Sequence, residues 1–135
     1  MAQKATDCPP EPSIRDKLSV DVFNSIPLEL QKQIKSVNKK SQIANNKVAV
    51  TTADKLWLFS RSELYSGEKF EEDEPIYSLF INKYALSNIH TDSDGWWTRS
   101  GHRGISDSYW YIKQNGDFDV SGESATKGII FGFCI

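Results

Sequence analysis

The dipeptide Asn115-Gly116 constrains the fold of this chain more than any other feature of its sequence. It separates two runs of strand type, residues 109–114 and residues 117–121. Asparagine and glycine both tolerate a positive φ, which a tight turn between two strands requires. The segment therefore predicts a β-hairpin.

The two faces of this predicted hairpin differ in chemistry. Because side chains alternate along a strand, Trp110 and Ile112 fall on one face, and Tyr109, Tyr111 and Lys113 fall on the other. We expect the tryptophan face to pack inward and the tyrosine face to be exposed.

Three other segments predict strands that accompany the hairpin. Residues 96–100 (WWTRS) predict a short strand, and residues 128–135 (GIIFGFCI) predict a final apolar strand. The run LWLF at residues 56–59 is continuously apolar and of strand length, so we interpret it as a buried strand. Polar loops are expected at residues 101–106 and 122–127.

The N-terminal part of the chain predicts two helices. Ser13 and Asp16 resemble a capping box, and an apolar stripe at spacing four predicts a helix over about 14–24. Pro27 suits the first turn of a second helix that continues to about residue 34. Residues 1–12, with three prolines, are predicted to be a flexible arm, and 13–135 a single domain.

The middle of the chain predicts shorter elements. The lysine-containing segment 35–42 is typical of an exposed edge strand, and Asn45-Asn46 indicates a turn. Ser60 and Glu63 form a second capping box before a short helix. The acidic segment 68–74 predicts a solvated loop, with cation binding as the alternative. A short helix is expected within 75–81 and an irregular loop over 82–95.

Charge, hydropathy and cysteine usage narrow the classes of function. The 135 residues carry a net charge of −2, which argues against a nucleic-acid binder with a basic stripe. No apolar run is long enough to span a bilayer, and the N-terminus lacks a signal-peptide pattern. A phage particle, a cell surface and the cytoplasm all stay open. Cys8 and Cys134 are expected to be separate thiols, and with two distant histidines they lack zinc spacing.

Several blocks occur together in an order that resembles a known family. They are Ser13–Leu18, the run TADKLWLFS at 52–60 with Glu63, the block WWTRS at 96–100, the hairpin, and the closing GFCI at 132–135. The order resembles a bacterial and phage family of unknown function with blocks "T-x-D-K-[LV]-[FW]-L-[LF]-S-x-x-E", "W-W-L-R-S" and "G-[VI]-x-P-x-F-x-I". Thr98 replaces the usual leucine, and Ile130 or Phe131 replaces the usual proline. The first block also departs from the common "L-R-x-W-L-N" form.

The resemblance implies an α+β domain that is distantly similar to the C-type-lectin fold. Its relatives include formylglycine-generating enzymes and the variable proteins of diversity-generating retroelements. Two N-terminal helices would pack on a small twisted antiparallel sheet with long loops. In relatives of this fold, the region that corresponds to residues 101–127 is the ligand-binding surface.

The candidate binding residues come from this region, where tyrosines and short polar side chains are typical of adaptable binding surfaces. An ordinary solvated sheet face is the alternative. The candidates are His102, Arg103, Ser106, Asp107, Tyr109, Tyr111, Asp117, Asp119, Glu123 and Ser124. A structural role is expected for Trp57, Trp96, Arg99, Trp110 and Phe133. Trp97 lies on the opposite face from Trp96 and is expected to be partly exposed. The alternative to a structural role is that Trp96, Trp97 and Arg99 form a platform for a sugar or a cation.

Catalysis has little support in the sequence. Neither His90 nor His102 has a nucleophile in a recognisable elbow, and Asp92-Ser93-Asp94-Gly95 lacks the later ligands of a calcium loop. The paired cysteines of formylglycine-generating enzymes are absent. We therefore expect a non-enzymatic module, without metal or cofactor, that recognises a protein or glycan. It would be a diversified receptor of a phage or a bacterial surface, or alternatively a small interaction or assembly protein with one fixed partner.

Overall fold

The computed structural model describes residues 10–70 and 72–135, without the side chains of residues 10–13 and of Lys83. Residues 1–9, which make up most of the predicted arm, lie outside the described residues. The described chain is an α+β structure with short helices and small antiparallel sheets, as the sequence predicts.

The N-terminal helix consists of three consecutive pieces. Helix α1 (Pro10–Lys17) is followed by a π-helical turn (Leu18–Val22) and by α2 (Phe23–Ser25). Residues 10–12, which the sequence prediction places in the arm, are helical in the described structure. The predicted apolar stripe is confirmed, because Leu18 is buried while Ile14 and Val22 pack against the same cluster.

The second helix is shorter than predicted. Helix α3 (Leu28–Gln31) begins after Pro27 and ends within two turns. The Gln31 side-chain amide donates to the carbonyl of Ile26 at 2.6 Å, which ties the helix to the preceding chain. The chain then extends into the first strand.

The described strands form three antiparallel sheets. A hairpin contains β1 (Val37–Gln42) and β2 (Ala49–Asp54), and β3 (Trp57–Leu58) pairs with β7 (Phe131–Gly132) near the C-terminus. The third sheet has the order β4 (Trp96–Gly101), β5 (Ser108–Ile112), β6 (Phe118–Gly122). Helix α4 (Arg61–Leu64) and two 3₁₀ segments, Ser78–Phe80 and Lys83–Asn88, connect the second and third sheets.

The predicted hairpin is present, but its turn is longer than two residues. Gly116 donates to the carbonyl of Lys113 at 2.9 Å, and Lys113 donates to the carbonyl of Asp117 at 2.8 Å. Of the Asn-Gly pair only Gly116 lies in the left-handed region, with φ of 92°. The loop is therefore longer than a two-residue Asn-Gly turn, and a glycine in the left-handed conformation ends it.

Both faces of the β4–β5 pair are buried, and this is the main difference from the sequence prediction. One face packs on the N-terminal helix through Trp97, Tyr109 and Tyr111. The other face packs on α4 and the 3₁₀ segments through Trp96 and Ile112. The prediction that Trp97 is partly exposed is wrong, because the helix covers that face.

Candidate functional site

Four charged side chains meet in the interior and connect four segments of the chain. Glu63 accepts hydrogen bonds from Arg99 and from Lys39, and Arg99 also donates to Glu74. Glu63 is placed there by the predicted capping box, which is confirmed: its Oε1 accepts from the amide of Ser60 at 2.9 Å. Two cations and two anions therefore neutralise one another in the interior.

The electrostatics of this group follow from its geometry. Burial alone would raise the pKa of Glu63, but Arg99 and Lys39 outweigh it and hold that pKa below its usual value. Burial likewise opposes the charge of Lys39, yet its bonds to Glu63 and Tyr77 leave the Lys39 pKa raised. These ionisable groups are engaged with each other, which is the geometry of a structural network.

Two predictions about charged residues are corrected here. Lys39 is not an exposed edge lysine: its ammonium lies 4.8 Å from the ring centroid of Trp57 and 3.0 Å from the hydroxyl of Tyr77. The acidic segment is not fully solvated either. Glu72 is buried, with Oε2 accepting from the Gln42 amide at 3.0 Å, and Glu74 bonds Arg99.

The charged group positions the walls of a surface groove beside α4 and the hairpin turn. Tyr77, whose hydroxyl accepts from Lys39, also donates its backbone amide to the Glu63 carbonyl at 3.0 Å. This bond fixes the segment with Ile76 against α4. The resulting groove has a volume of about 590 Å³, which suits a small ligand or a few residues of a peptide.

The groove, which we call the tyrosine groove, has an apolar floor and a mixed rim. Its floor is formed by Leu64, Ile76, Phe80 and Leu86. Its rim carries Tyr65 and Tyr84, which are 43% and 66% exposed, and beside them the hairpin turn with Asn115 and Asp117.

The position of Tyr65 is fixed by its neighbours. Its ring packs at 6.4 Å from that of Phe70 and at 6.2 Å from that of Phe118. It also lies over Gly67, where an added Cβ would be 1.8 Å from the tyrosine hydroxyl. The absence of a side chain at residue 67 therefore permits the position of the ring.

The structure divides the predicted binding residues among several places. Tyr109 and Tyr111 are only 2% and 7% exposed and pack in the core, so the expectation that they form an exposed face is wrong. The physical reason is that the N-terminal helix and Lys127 cover that face: the Lys127 ammonium lies 3.8 Å from the ring centroid of Tyr111.

A second group of predicted residues lies together on an exposed polar surface. The amide of Glu123 donates to the carbonyl of Asp107 at 2.8 Å, which joins loop 102–107 to loop 122–127. Partial burial and the nearby Asp107 carboxylate raise the pKa of Glu123. We call this surface the loop face, and its exposed members are Arg103, Ser106, Asp107, Glu123 and Ser124.

The remaining predicted binding residues lie apart from the loop face. His102 is half-buried and stacks on Trp110, with ring centroids 5.5 Å apart, while its Nδ1 accepts from the Gly104 amide. Asp119 is exposed on β6, opposite Tyr111 in the register. Asp117 is the candidate that lies in the tyrosine groove.

The predicted structural residues fit their roles with one exception. Trp57 and Trp96 are buried, Trp110 is half-buried beneath the Arg61 guanidinium, and Arg99 donates to the carbonyls of Lys40 and Leu58. Phe133 differs, because it is 38% exposed and Phe131 takes the place in the strand. Strand β7 ends at Gly132, so Phe133 lies beyond the end of the strand.

The sequence reasoning missed both rim tyrosines. Tyr65 follows the capping box of Ser60 and Glu63 and is part of the short helix predicted there, and Tyr84 falls in the predicted irregular loop over 82–95. A tyrosine in a polar loop is a weak signal, and two of them 19 residues apart carry no spacing pattern. Their shared position depends on the turn at Gly116, which approaches the backbone of Ser87 so closely that a Cβ would be 2.9 Å from its amide.

Residues 10–70 and 72–135 contain neither a metal-binding cluster nor a membrane-spanning helix. No group of three or more His, Cys, Asp or Glu side chains there is arranged to hold a metal ion. No helix in that part of the chain is both long and apolar enough to cross a membrane. Cys134 is a free, exposed thiol, and Cys8 lies outside the described residues.

Comparison with known proteins gives one match. A family model described as a domain of unknown function (DUF6273) matches residues 10–135, from the first residue of α1 to the C-terminus of the chain. No curated protein and no solved structure matches the chain significantly.

Proposed function

The chain belongs to the DUF6273 family of domains of unknown function, and on that premise we propose that it is a non-enzymatic ligand-recognition module for a protein or a glycan. The tyrosine groove is the observation that carries the proposal. It combines an apolar floor with exposed aromatic rings and a few polar groups from the hairpin turn. Such a combination is what binding sites use for contact area and for orientation.

The placement of the rim tyrosines supports recognition. A tyrosine ring has few rotatable bonds, so its ordering on binding costs little entropy for the area that it contributes. Tyr65 is already held by Phe70, Phe118 and the space over Gly67. A ligand would therefore meet a partly preorganised site.

The distribution of perturbed ionisable groups supports a non-enzymatic role. Catalytic groups usually combine a shifted pKa with a position in a cleft. Of the groups with a shifted pKa, Glu63, Lys39 and Glu72 are buried in structural contacts, Arg61 packs against the rings of Phe70 and Trp110, and Glu123 is exposed on the loop face. Among the described side chains that line the tyrosine groove, Asp117 is the one that carries a charge.

The loop face is a second surface for the same function. Its exposed polar side chains lie on two joined loops that a rigid scaffold supports, which is an arrangement that tolerates sequence change. We propose this face as the variable part if the protein is a diversified receptor. Changes concentrated at residues 102–107 and 122–127 among related isolates would support it, and evenly spread changes would favour a single fixed partner.

The C-type-lectin-like fold and an origin on a phage or a bacterial surface are also proposals. The pairing of Lys35 with Cys134 and of β3 with β7 brings the N-terminal part of the domain to its C-terminal strand. This closure supports a lectin-like topology. An experimental structure whose strand order could not be superimposed on lectin-like domains would contradict it.

The first test is a binding screen on glycan and cell-surface protein arrays. The wild-type protein would be compared with Tyr84→Ala in the groove, Asp107→Ala with Glu123→Ala on the loop face, and Phe133→Ala as an exposed aromatic control outside both. We expect ligands that bind the wild type and the control but not the groove variant. A loss confined to the loop-face variant would move the site there, and the absence of any ligand on either array would contradict the proposed function.

A further inference from the structure

Acidic side chains lie on the surface beside the apolar floor of the tyrosine groove. A shallower hollow adjoins the groove, and Tyr65, Ser66 and Ile76 line both. This hollow is about 390 Å³ in volume and has Glu68, Lys69, Asp73 and Glu74 on its walls. The two hollows therefore form one continuous surface on either side of Tyr65.

The carboxylates on this surface differ in how far they are neutralised. Glu74 is bonded to Arg99 inside the protein. Glu68 is exposed and lies 4.0 Å from Arg61, and Asp73 and Asp117 are exposed as well. Among the described side chains that line the two hollows, Lys69 carries the one positive charge. The surface is thus acidic beside an apolar floor.

The exposed rings add a second attraction for cations. The face of a tyrosine ring attracts an ammonium or a guanidinium, and this protein already uses such contacts within its own structure. The Arg61 guanidinium lies 4.3 Å from the Phe70 ring centroid and 4.0 Å from that of Trp110. Tyr84 presents a more accessible ring in the groove, since 66% of the residue is exposed.

We infer that the tyrosine groove binds a basic and apolar peptide segment of a partner protein, an inference that rests on the groove being the recognition site proposed above. An aliphatic or aromatic side chain of the peptide contacts Leu64, Phe80 and Leu86 on the floor. A neighbouring lysine or arginine lies against Tyr84 and close to Asp117. Further basic residues extend along the hollow toward Glu68 and Asp73.

Charge complementarity favours this occupant over a glycan. A neutral sugar can donate hydrogen bonds to a carboxylate, but it carries no opposite charge for it, and its hydroxyl groups would lose their water over the apolar floor. A peptide with alternating basic and apolar side chains satisfies both parts of the surface. Its affinity is expected to fall with salt concentration, because the attracting charges are exposed.

The test is a selection of random peptides displayed on phage against the immobilised 135-residue chain. We expect enrichment of sequences with lysine or arginine next to a large apolar residue. Selected peptides would then be synthesised with a fluorescent label, and their affinity measured by anisotropy. Tyr84→Ala should weaken binding about threefold to tenfold, and Asp117→Lys by at least as much, since it replaces attraction with repulsion.

Two control variants keep the test specific. Asp92→Lys makes the same charge change on an exposed loop outside the groove, and Phe133→Ala removes an exposed ring that the groove does not include. Both should bind the peptides as the wild type does. Thermal unfolding of every variant excludes loss of the folded structure as the cause.

The outcomes separate the inference from the function on which it rests. Enriched peptides that are acidic, or that bind Tyr84→Ala and Asp117→Lys as well as the wild type, overturn the inference. The same result together with glycan binding that Tyr84→Ala abolishes on the array overturns the peptide occupant but supports the groove as the recognition site. If neither experiment shows binding that depends on the groove, the peptide inference and the groove as the recognition site are both overturned.

Discussion

Arg99 of β4 and Glu63 of α4 form an ion pair in which the two side chains are only 5% and 1% exposed. The partners are 36 residues apart in sequence, and Lys39 and Glu74 complete the group from two further segments. Because a buried charge without its partner is costly, the pair makes four segments of the chain depend on one another. The groove walls at α4 and at residues 74–77 are among them.

We predict that Glu63→Gln destabilises the protein strongly, because it leaves Arg99 and Lys39 buried with one carboxylate between them. The expected loss is about 3–5 kcal/mol in the free energy of unfolding, measured by urea denaturation. Glu29→Gln is the matched control. It breaks an exposed contact of 3.4 Å with Lys32 and should cost about 0.5 kcal/mol or less. Similar losses for the two variants would contradict a special role of the buried pair.

The pH dependence of stability should contain two opposite contributions. The pKa of Glu63 is lower in the folded protein than its ordinary value of 4.5, so its contribution is present above that pH and is lost as the pH falls through the folded pKa. Burial raises the pKa of Glu72 above 4.5, more than its bond to the Gln42 amide and the charge of Arg61 lower it. Folding therefore favours the protonated Glu72 carboxyl, and its contribution is lost as the pH rises through the folded pKa.

Glu72→Gln separates the second contribution from the first. A neutral amide keeps an oxygen that accepts from the Gln42 amide but carries no buried charge, so we expect the variant to be more stable than the wild type at neutral pH. The advantage should shrink as the pH falls from neutral through the folded pKa of Glu72, which lies above 4.5, and should be lost once the pH is below 4.5. The measurement is the free energy of unfolding in urea across that pH range. A variant that is less stable at neutral pH would show that the Glu72 carboxylate is satisfied as a charge.

Gly95, which precedes β4, tests the close approach of two backbone segments. It has φ of 76°, and an added Cβ would lie 2.1 Å from the carbonyl oxygen of Ile112. We predict that Gly95→Ala costs about 2–4 kcal/mol in chemical denaturation, from backbone strain and overpacking together. Gly122→Ala is the control, since nothing lies within 4 Å of its added Cβ. If both alanines were tolerated equally, the chain around residue 95 would have to be free to shift.

Because the hairpin tyrosines are buried and Tyr84 is exposed, we predict that their substitutions by alanine differ in their effect on stability. Tyr109→Ala should destabilise the protein by about 3–5 kcal/mol, because it removes a large ring from the core. Tyr84→Ala removes an exposed ring and should change stability by less than about 1 kcal/mol. Thermal unfolding monitored by circular dichroism measures both. A mild effect at Tyr109 would restore the predicted exposed tyrosine face.

Much of the local structure could be predicted because its causes lie within a few residues. The capping box at Ser60 and Glu63, the helical stripe through Leu18, and the turn that ends at Gly116 depend on short-range hydrogen bonds, spacing and φ. The α+β class followed from the order of such segments, and so did membership of a family of unknown function. Asp117 is the one predicted binding residue that lines the tyrosine groove, because the turn residues determine the position of the hairpin tip.

What only the tertiary structure decided is which surfaces are covered. Alternation predicted correctly that Tyr111 and Ile112 point in opposite directions, but both directions are interior, since Leu18 lies on one side and Leu86 on the other. The partners of Lys39 and Glu74 come from segments 24 or more residues away, and no local pattern announces them. The sequence by itself determined the elements and their faces. Burial is a property of pairs of distant elements, and only their packing decided which faces became core and which became the groove.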